Sequence, residues 1–350
     1  MKNILKFALP LLLIVSCSKP VDYGNLNYSF GGSVFILNEG NFRAGNGSLS
    51  LYSYDSSKIY NDLFHSVNGR SLGDVPNSMA ITGDKAYIVV NNSGKIEVIN
   101  KSTLESVATI KGLNSPRNIA IINDNKAYVT SLYSDSVAII NLTGNFISGY
   151  INLRRTSEAI AISGNKAFVS NWAGGDEVMV INTLLDNVID SIKVGVEPES
   201  MVKDKYGAIW VLCNGGWARQ NYAELDGINS VTDVVQQKMI FPTKEESPTS
   251  LTIDGTGQIL YFLDNGVRQM DVASATLPGS AFISPKAGEY FYKLGINPIN
   301  NDIFVTDAAD FTKEGSVSIF SDKGASIANL KAGIIPGFIC FNLRVNSHAK

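Results

Sequence analysis

The sequence predicts an all-β fold: a seven-bladed β-propeller with four-stranded antiparallel blades, in which the C-terminal strand joins the N-terminal blade. Two observations predict it. An apolar segment with a central aromatic residue occurs seven times, at spacings of 52, 41, 40, 42, 51 and 43 residues. Helical periodicity is essentially absent between the copies. The central aromatic residues are Phe35, Tyr87, Tyr128, Phe168, Trp210, Tyr261 and Phe304.

Each repeat also contains the other strands of a blade. A short apolar segment opening at a proline precedes most of the aromatic segments, and two strand-like runs follow, such as KIEVIN and SVATIKG. One twisted four-stranded sheet cannot bury both of its faces, whereas seven sheets packed in a ring can. The aromatic residues are therefore expected in the core between blades. The prolines, expected at strand entries, are Pro76, Pro116, Pro198 and Pro248.

The two ends of the repeat series predict how the ring closes. The first copy has its aromatic strand at Phe35 but no proline-led strand before it. A matching segment, IPGFICF over residues 335–341, stands at the far end of the chain. We expect this segment to complete blade one, which would leave no exposed sheet edge at the seam.

Composition and charge narrow the function classes. The net charge of −3 gives no general attraction to nucleic acid or anionic lipid. Cys213 and Cys340 could form a disulfide in an exported protein, but the repeats place them in different blades, which favours two buried thiols. His65, expected in the outer strand of blade one, and His348, in the tail, are the chain's two histidines. Two histidines at these positions are a poor basis for a catalytic triad or a haem site.

The N-terminus predicts export and a lipid anchor. Lysines followed by a short apolar stretch indicate a signal peptide over residues 1–16, and its end resembles the bacterial lipobox, with Cys17 as the lipidated residue. The alternative is an ordinary signal peptide in which this cysteine is incidental. We assign residues 17–32 to a lipidated tether, 33–345 to a single propeller and 346–350 to a tail.

Connections at one end of a propeller are expected to form a ligand-binding face. The loops entering each first strand and leaving each second strand open on the same side, and several carry large aromatic residues among amides and charges. Such a surface suits a bulky, partly apolar ligand that carries amide groups. The candidate ligand-binding residues are Phe42, Arg43, Asn92, Arg117, Tyr133, Glu158, Trp172, Glu199, Trp217, Tyr222, Asn265, Asp307 and Phe311.

Other interpretations of these residues stay open. The aromatic side chains could pack against their own loops, and the carboxylates could be solvated rim residues. The sequence predicts no catalytic residues, no metal site and no cofactor. The one enzymatic alternative is a Ca²⁺-dependent, lactonase-like centre that would use oxygen ligands from Glu39, Asn92, Glu158 and Asp307.

Several motifs together resemble a known family. The lipobox, VFILNEGNF near the start, DAADFTKEGSVSIF near the end and GIIPGF at the closure are similar to the YncE-like propeller lipoproteins of Bacteroidetes, over about residues 30–345. The resemblance implies a surface lipoprotein anchored in the outer membrane. The member with the best-defined function, BtuG, captures cobalamin and caps a TonB-dependent transporter, BtuB.

The resemblance therefore implies binding rather than catalysis. The expected ligand is cobalamin, as a transported molecule rather than a cofactor, and the expected partner is a BtuB-like TonB-dependent transporter in the outer membrane. A protein-interaction scaffold or a glycan-binding lipoprotein of another uptake system is the alternative. We expect no contact with nucleic acid, and contact with the membrane through the lipid anchor only.

Overall fold

The computed structural model describes residues 32–342 and forms the predicted seven-bladed β-propeller, with seven antiparallel sheets in a ring. The predicted signal peptide, Cys17, most of the predicted tether, residues 343–345 of the predicted propeller range, His348 and the predicted tail lie outside the described residues. The one helix of the described part, α1, is six residues long (Leu63–Asn68). Within residues 32–342, no helix is long and apolar enough to cross a membrane.

The strands follow one another blade by blade. Blades one to four use, in chain order, β1 (Ser33–Asn38), β2 (Ser48–Ser53), β3 (Lys58–Tyr60); β4 (Pro76–Thr82), β5 (Lys85–Val90), β6 (Lys95–Asn100), β7 (Ser106–Lys111); β8 (Pro116–Asn123), β9 (Lys126–Ser131), β10 (Ser136–Asn141), β11 (Phe146–Asn152); β12 (Ile160–Ser163), β13 (Lys166–Ser170), β14 (Glu177–Asn182) and β15 (Asn187–Lys193). Blades five to seven, and then the last strand of the ring, use β16 (Pro198–Lys203), β17 (Ala208–Cys213), β18 (Glu224–Asn229), β19 (Val234–Ile240); β20 (Thr249–Ile253), β21 (Ile259–Leu263), β22 (Val267–Asp271); β23 (Phe291–Ile296), β24 (Ile303–Asp307), β25 (Glu314–Phe320), β26 (Ser326–Ile334) and β27 (Pro336–Asn342).

The ring closes as the sequence predicts. Strand β27 pairs antiparallel with β1, with Phe35 opposite Cys340, so the sheet of blade one has the order β27-β1-β2-β3. The backbone N–H of Gly32 donates to the carbonyl of Asn342 at 3.2 Å. Both ends of the described chain thus lie side by side in blade one.

The repeated aromatic residues form the core between blades, as predicted. Each of the seven is at most 4% exposed. Tyr87 of blade two packs with Val129 of blade three, and Trp210 of blade five packs with Phe262 of blade six. Burial of apolar surface between neighbouring sheets is therefore the main stabilising term of the ring.

Two local expectations are wrong. Blade six has three strands, because the segment after β22 contains two prolines and two glycines and forms an isolated bridge to β22, between Val267 and Ile283, in place of a fourth strand. The segment around His65 is α1 rather than an outer strand, since a helical turn buries Leu63 and Phe64 against blade one while His65 stays at the surface.

Both cysteines of the described part, Cys213 and Cys340, are free thiols. Cys213, in β17, is buried as predicted. Cys340, in β27, is only partly buried, so the prediction of two buried thiols holds for Cys213 alone.

The two ends of the ring differ in their connections. We call the end that carries the second-to-third strand loops and the links between blades the upper face, and the opposite end, where Gly32 and Asn342 lie, the lower face. On the upper face, a residue with positive φ precedes the first-strand proline in four blades, and its carbonyl accepts an N–H from the second-strand exit. These residues are Val75, Ser115, Glu197 and Ile335.

Candidate functional site

A cavity of about 490 Å³ opens at the upper end of the central channel. The first strands of the blades supply most of its lining, each with a residue at or close to the strand entry. From blade two onward, and ending with β27 of blade one, these residues are Asn77, Arg117, Glu158, Glu199, Ser250, Tyr292 and Gly337. We call the charged and phenolic residues at this position, together with two neighbours, the channel mouth: Glu39, Arg117, Glu158, Glu199, Tyr292 and Lys293.

Backbone irregularities turn these residues toward the channel. In β4, β8, β16, β20, β23 and β27 the pairing register shifts at this point, as in a β-bulge. A bulge adds an unpaired residue and re-aims its side chain, and such features are frequent beside binding sites. The same irregularity, repeated around the ring, therefore builds the lining of the channel mouth.

Two ion pairs occupy part of the channel mouth. Arg117 binds Glu158 in a bidentate manner, with Nε and Nη2 at 2.7 and 2.8 Å from the two carboxylate oxygens. Lys293 Nζ lies 3.6 Å from Glu199 Oε1, and the backbone N–H of Ser250 donates to Glu199 Oε2 at 3.0 Å. The guanidinium of Arg117, one of the candidate ligand-binding residues, is thus engaged by a neighbouring blade.

Glu39 reaches the channel mouth from the end of β1. Its Oε1 accepts a hydrogen bond from the Tyr292 hydroxyl at 2.8 Å. Burial raises the pKa of Glu39, against the opposing effects of the Tyr292 hydrogen bond and the nearby Lys293 and Arg117. Burial and the neighbouring Glu39 raise the pKa of Tyr292, so its hydroxyl keeps its proton and acts as a donor.

The predicted aromatic residues lie on loops of the upper face. We call Phe42, Tyr133, Trp172, Trp217, Tyr222 and Phe311 the aromatic rim, since each follows a second strand. Five of them are 42–94% exposed, with Trp217 the most exposed. Trp172 is partly buried, and its indole N–H is buried without a hydrogen-bond partner. Phe311 contacts Tyr292 edge to face at 5.4 Å, which joins the rim to the channel mouth.

The other candidates on this face serve local structure. The Arg43 guanidinium lies 5.1 Å from the Phe42 ring, while Asn92 donates to Asp74. Asn265 has positive φ in the turn between β21 and β22, and Asp307 Oδ1 accepts the N–H of the residue two positions on. Asn265 and Asp307 therefore have roles within their own turns.

The four oxygen ligands proposed for a lactonase-like calcium centre do not form one cluster. Glu39 and Glu158 line the cavity, whereas Asn92 and Asp307 make the local contacts just given. Over residues 32–342, no group of three or more His, Cys, Asp or Glu side chains could hold a metal ion.

Sequence reasoning missed Tyr292 and Lys293. Both lie in β23, whose copy of the repeat lacks the proline found at the entries of β4, β8, β16 and β20. Aligning FYKLGI, which begins at Phe291, with PRNIAI and PESMV places Tyr292 at the position of Arg117 and Glu199.

Solved structures share this fold. A quinonprotein alcohol dehydrogenase-like protein from Bacteroides thetaiotaomicron is 16% identical, with a TM-score of 0.72 over 90% of this chain and 79% of that one. A provisionally assigned 6-phosphogluconolactonase from Bacteroides uniformis is 12% identical, with a TM-score of 0.66 over 89% of this chain and 99% of that one. Virginiamycin B lyase from Staphylococcus aureus is 13% identical, with a TM-score of 0.58 over 74% of this chain and 84% of that one.

These identities are too low to carry more than the fold. They place the chain among propeller proteins that include both enzymes and proteins of other description. No curated protein matches the chain. The family described as a domain of unknown function, DUF5074, matches residues 32–332. The chain belongs to the DUF5074 family, whose matched region spans nearly the whole propeller.

Proposed function

We propose that the chain is a binding protein rather than an enzyme, and that it captures a bulky small molecule on the aromatic rim. The observation that carries this proposal is the display of large aromatic side chains at 42–94% exposure on one face of a rigid ring. Aromatic rings give much contact area for little loss of side-chain freedom, and they dominate the energetics of many binding surfaces.

The framework favours binding because its loops are already ordered. Backbone hydrogen bonds link the residue before a first strand to the end of the second strand on the upper face. One example is the hydrogen bond from the Glu39 N–H to the Ile335 carbonyl at 2.8 Å. A preformed surface loses less conformational entropy when a ligand binds. The channel mouth, beneath the rim, adds polar groups that can orient such a ligand.

Cobalamin is the first ligand to test. It is broad and fringed with amides, which suits aromatic platforms beside polar side chains, and the resemblance to YncE-like lipoproteins supports the choice. On the same ground, we propose that Cys17 carries a lipid in the outer membrane, with the protein at the cell surface. The partner would be a BtuB-like TonB-dependent transporter that receives the ligand.

Replacing Trp217 by alanine should weaken cyanocobalamin binding by about 1–3 kcal/mol, the range for an aromatic anchor. Isothermal titration calorimetry with the purified protein measures the effect. The matched control is Tyr206→Ala: Tyr206 is 73% exposed, but it lies on the lower face, in the turn between β16 and β17. Tyr206→Ala should leave the affinity unchanged.

Three outcomes separate the alternatives. Absence of heat at micromolar cyanocobalamin excludes this ligand, and a thermal-shift screen of other bulky molecules then tests capture in general. Co-purification with a transporter that Trp217→Ala abolishes, together with flat ligand titrations, supports a protein-interaction scaffold. Equal weakening by both alanine variants contradicts a role for the aromatic rim.

A further inference from the structure

The channel mouth has more negative than positive groups. Among the residues that line the cavity, three carboxylates face two cations. The carboxylates are Glu39, Glu158 and Glu199, and the cations are Arg117 and Lys293. With all five ionised, the lining carries one uncompensated negative charge in a recess partly shielded from solvent, where a charge interacts more strongly than in bulk water.

The pairing of these groups leaves Glu39 as the carboxylate without a cation. Arg117 is committed to Glu158 through two hydrogen bonds, and Lys293 is nearest to Glu199, at 3.6 Å. Within the described part of the chain, Glu39 has no Lys, Arg or His nitrogen within the 4.0 Å of an ion pair. Its hydrogen bond at 2.8 Å comes from the neutral hydroxyl of Tyr292.

A neighbouring glycine, Gly337, leaves the space that Glu39 needs at this position. Gly337 occupies the channel-facing position of blade one, where the other blades carry a side chain. A Cβ atom there would lie 2.2 Å from Glu39 Oε1 and 2.7 Å from its Cγ, which no real contact permits. Gly337 therefore leaves the space that the Glu39 side chain fills.

A second polar group in the cavity lacks a partner. Ser250 is one of the residues that line the same recess, and its hydroxyl oxygen is buried and makes no hydrogen bond. A buried hydroxyl without a partner costs free energy, because its bonds to water are lost and not replaced. Ser250 belongs to the blade next to the one that supplies Tyr292, so a residue with an unpaired hydroxyl and a carboxylate without a cation line the same cavity.

We propose that the channel mouth binds the primary ammonium or guanidinium group of a small cationic molecule, with Glu39 as its counter-ion. An ammonium group donates three hydrogen bonds and carries the single positive charge that the cavity lacks. The Ser250 hydroxyl is a second acceptor for this group. The cavity volume of about 490 Å³ lies in the range of small-molecule sites. This site is additional to ligand capture on the aromatic rim.

Butylammonium chloride is the probe, and 1-butanol is its uncharged counterpart. Thermal unfolding of the full chain at increasing probe concentration gives an apparent affinity. We expect a saturable rise in Tm with butylammonium and none with 1-butanol or with NaCl at equal ionic strength. Glu39→Gln, which keeps the shape and removes the charge, should lower the apparent affinity at least tenfold. Ser250→Ala should lower it severalfold.

The matched control is Glu245→Gln, since Glu245 is an exposed carboxylate on the upper face that pairs with Arg219 outside the cavity. It should bind butylammonium as the wild type does. The affinity should also rise with pH as Glu39, whose pKa is raised, loses its proton. Equal affinity in wild type and Glu39→Gln, or an equal response to 1-butanol, overturns the proposal.

The two proposals fail separately. If cyanocobalamin binds and butylammonium does not, the cationic site is wrong and ligand capture on the rim stands. If butylammonium binds and cyanocobalamin does not, the choice of cobalamin is wrong and the cationic site stands.

Discussion

Replacing Trp210 by alanine should lower the free energy of unfolding by about 3–5 kcal/mol, whereas Trp217→Ala should change it by less than about 0.5 kcal/mol. The two residues lie seven positions apart in blade five, yet Trp210 is 2% exposed and Trp217 is 94% exposed. Trp210 packs against blade six, and its indole N–H donates to Asp204 Oδ2 at 3.0 Å. Its removal leaves a cavity between two blades and an acceptor without a donor.

Urea unfolding followed by far-UV circular dichroism measures both variants, since each change removes one of three tryptophans and alters the fluorescence. Trp210→Phe is an informative intermediate, because it keeps most of the packing and loses the hydrogen bond to Asp204. The free energy of unfolding that Trp210→Phe loses should lie between the losses of Trp210→Ala and Trp217→Ala. Similar destabilisation by Trp210→Ala and Trp217→Ala would contradict the separation of a core column from an exposed rim.

This separation illustrates what the sequence predicts well. The core aromatic residues recur at nearly constant spacing, because every blade must present the same surface to the next. The rim residues all lie in loops that follow a second strand, so the topology alone assigns them to one face. Blade six does not follow the repeat, because individual contacts position its outer segment. One of them is the hydrogen bond from Arg268 to the Pro278 carbonyl at 3.2 Å.

The pairing within the channel mouth is only partly accessible to sequence reasoning. Arg117 and Glu158 are 41 residues apart, one repeat, and the period alone would place them in adjacent blades. Glu39 and Tyr292 are 253 residues apart and come from different positions of the repeat. Their contact depends on the bulge in β23 and on the space beside Gly337, and neither follows from composition or periodicity.

Two buried carboxylates at equivalent positions should respond to neutralisation with opposite signs. Glu97 in β6 and Asp226 in β18 are each the third residue of a third strand, and both are fully buried. Glu97→Gln should lower the free energy of unfolding at pH 8 by about 2–3 kcal/mol, because breaking a buried ion pair is costly. The partial exposure of its partner Arg70 keeps this loss moderate. Asp226→Asn should raise it by about 1–3 kcal/mol.

The difference arises from the partners of the two groups. Burial raises the pKa of Glu97, but hydrogen bonds from Arg70, Lys95 and Ser106 outweigh it, so the pKa is lowered. Asp226 accepts an N–H from Gly195 at 2.9 Å through one oxygen, while the other oxygen is buried and has no partner. Burial therefore raises the pKa of Asp226 from 3.8 to about 6.

The pH dependence follows from these directions. A carboxyl group whose pKa is higher in the folded state binds its proton more tightly there, so Asp226 destabilises the fold increasingly as pH rises from about 4 to about 6. That pKa difference corresponds to about 3 kcal/mol, and the new amide offsets part of the gain because its NH₂ group is itself poorly satisfied. The gain of Asp226→Asn should therefore be complete above about pH 6 and be lost by about pH 4, where only the cost of the poorly satisfied amide remains.

The stabilising contribution of Glu97 also grows as pH rises. Because its pKa is lowered in the folded state, that contribution is present above the unfolded value of 4.5 and is lost on acidification. Urea titrations of the wild type and both variants between pH 4 and pH 8 should thus give two curves that diverge from the wild type in opposite directions as pH rises. Glu105→Gln, at an exposed carboxylate in the turn after β6, is the control and should follow the wild type. Destabilisation by Asp226→Asn at pH 8 would show that this buried carboxylate is satisfied in its ionised form.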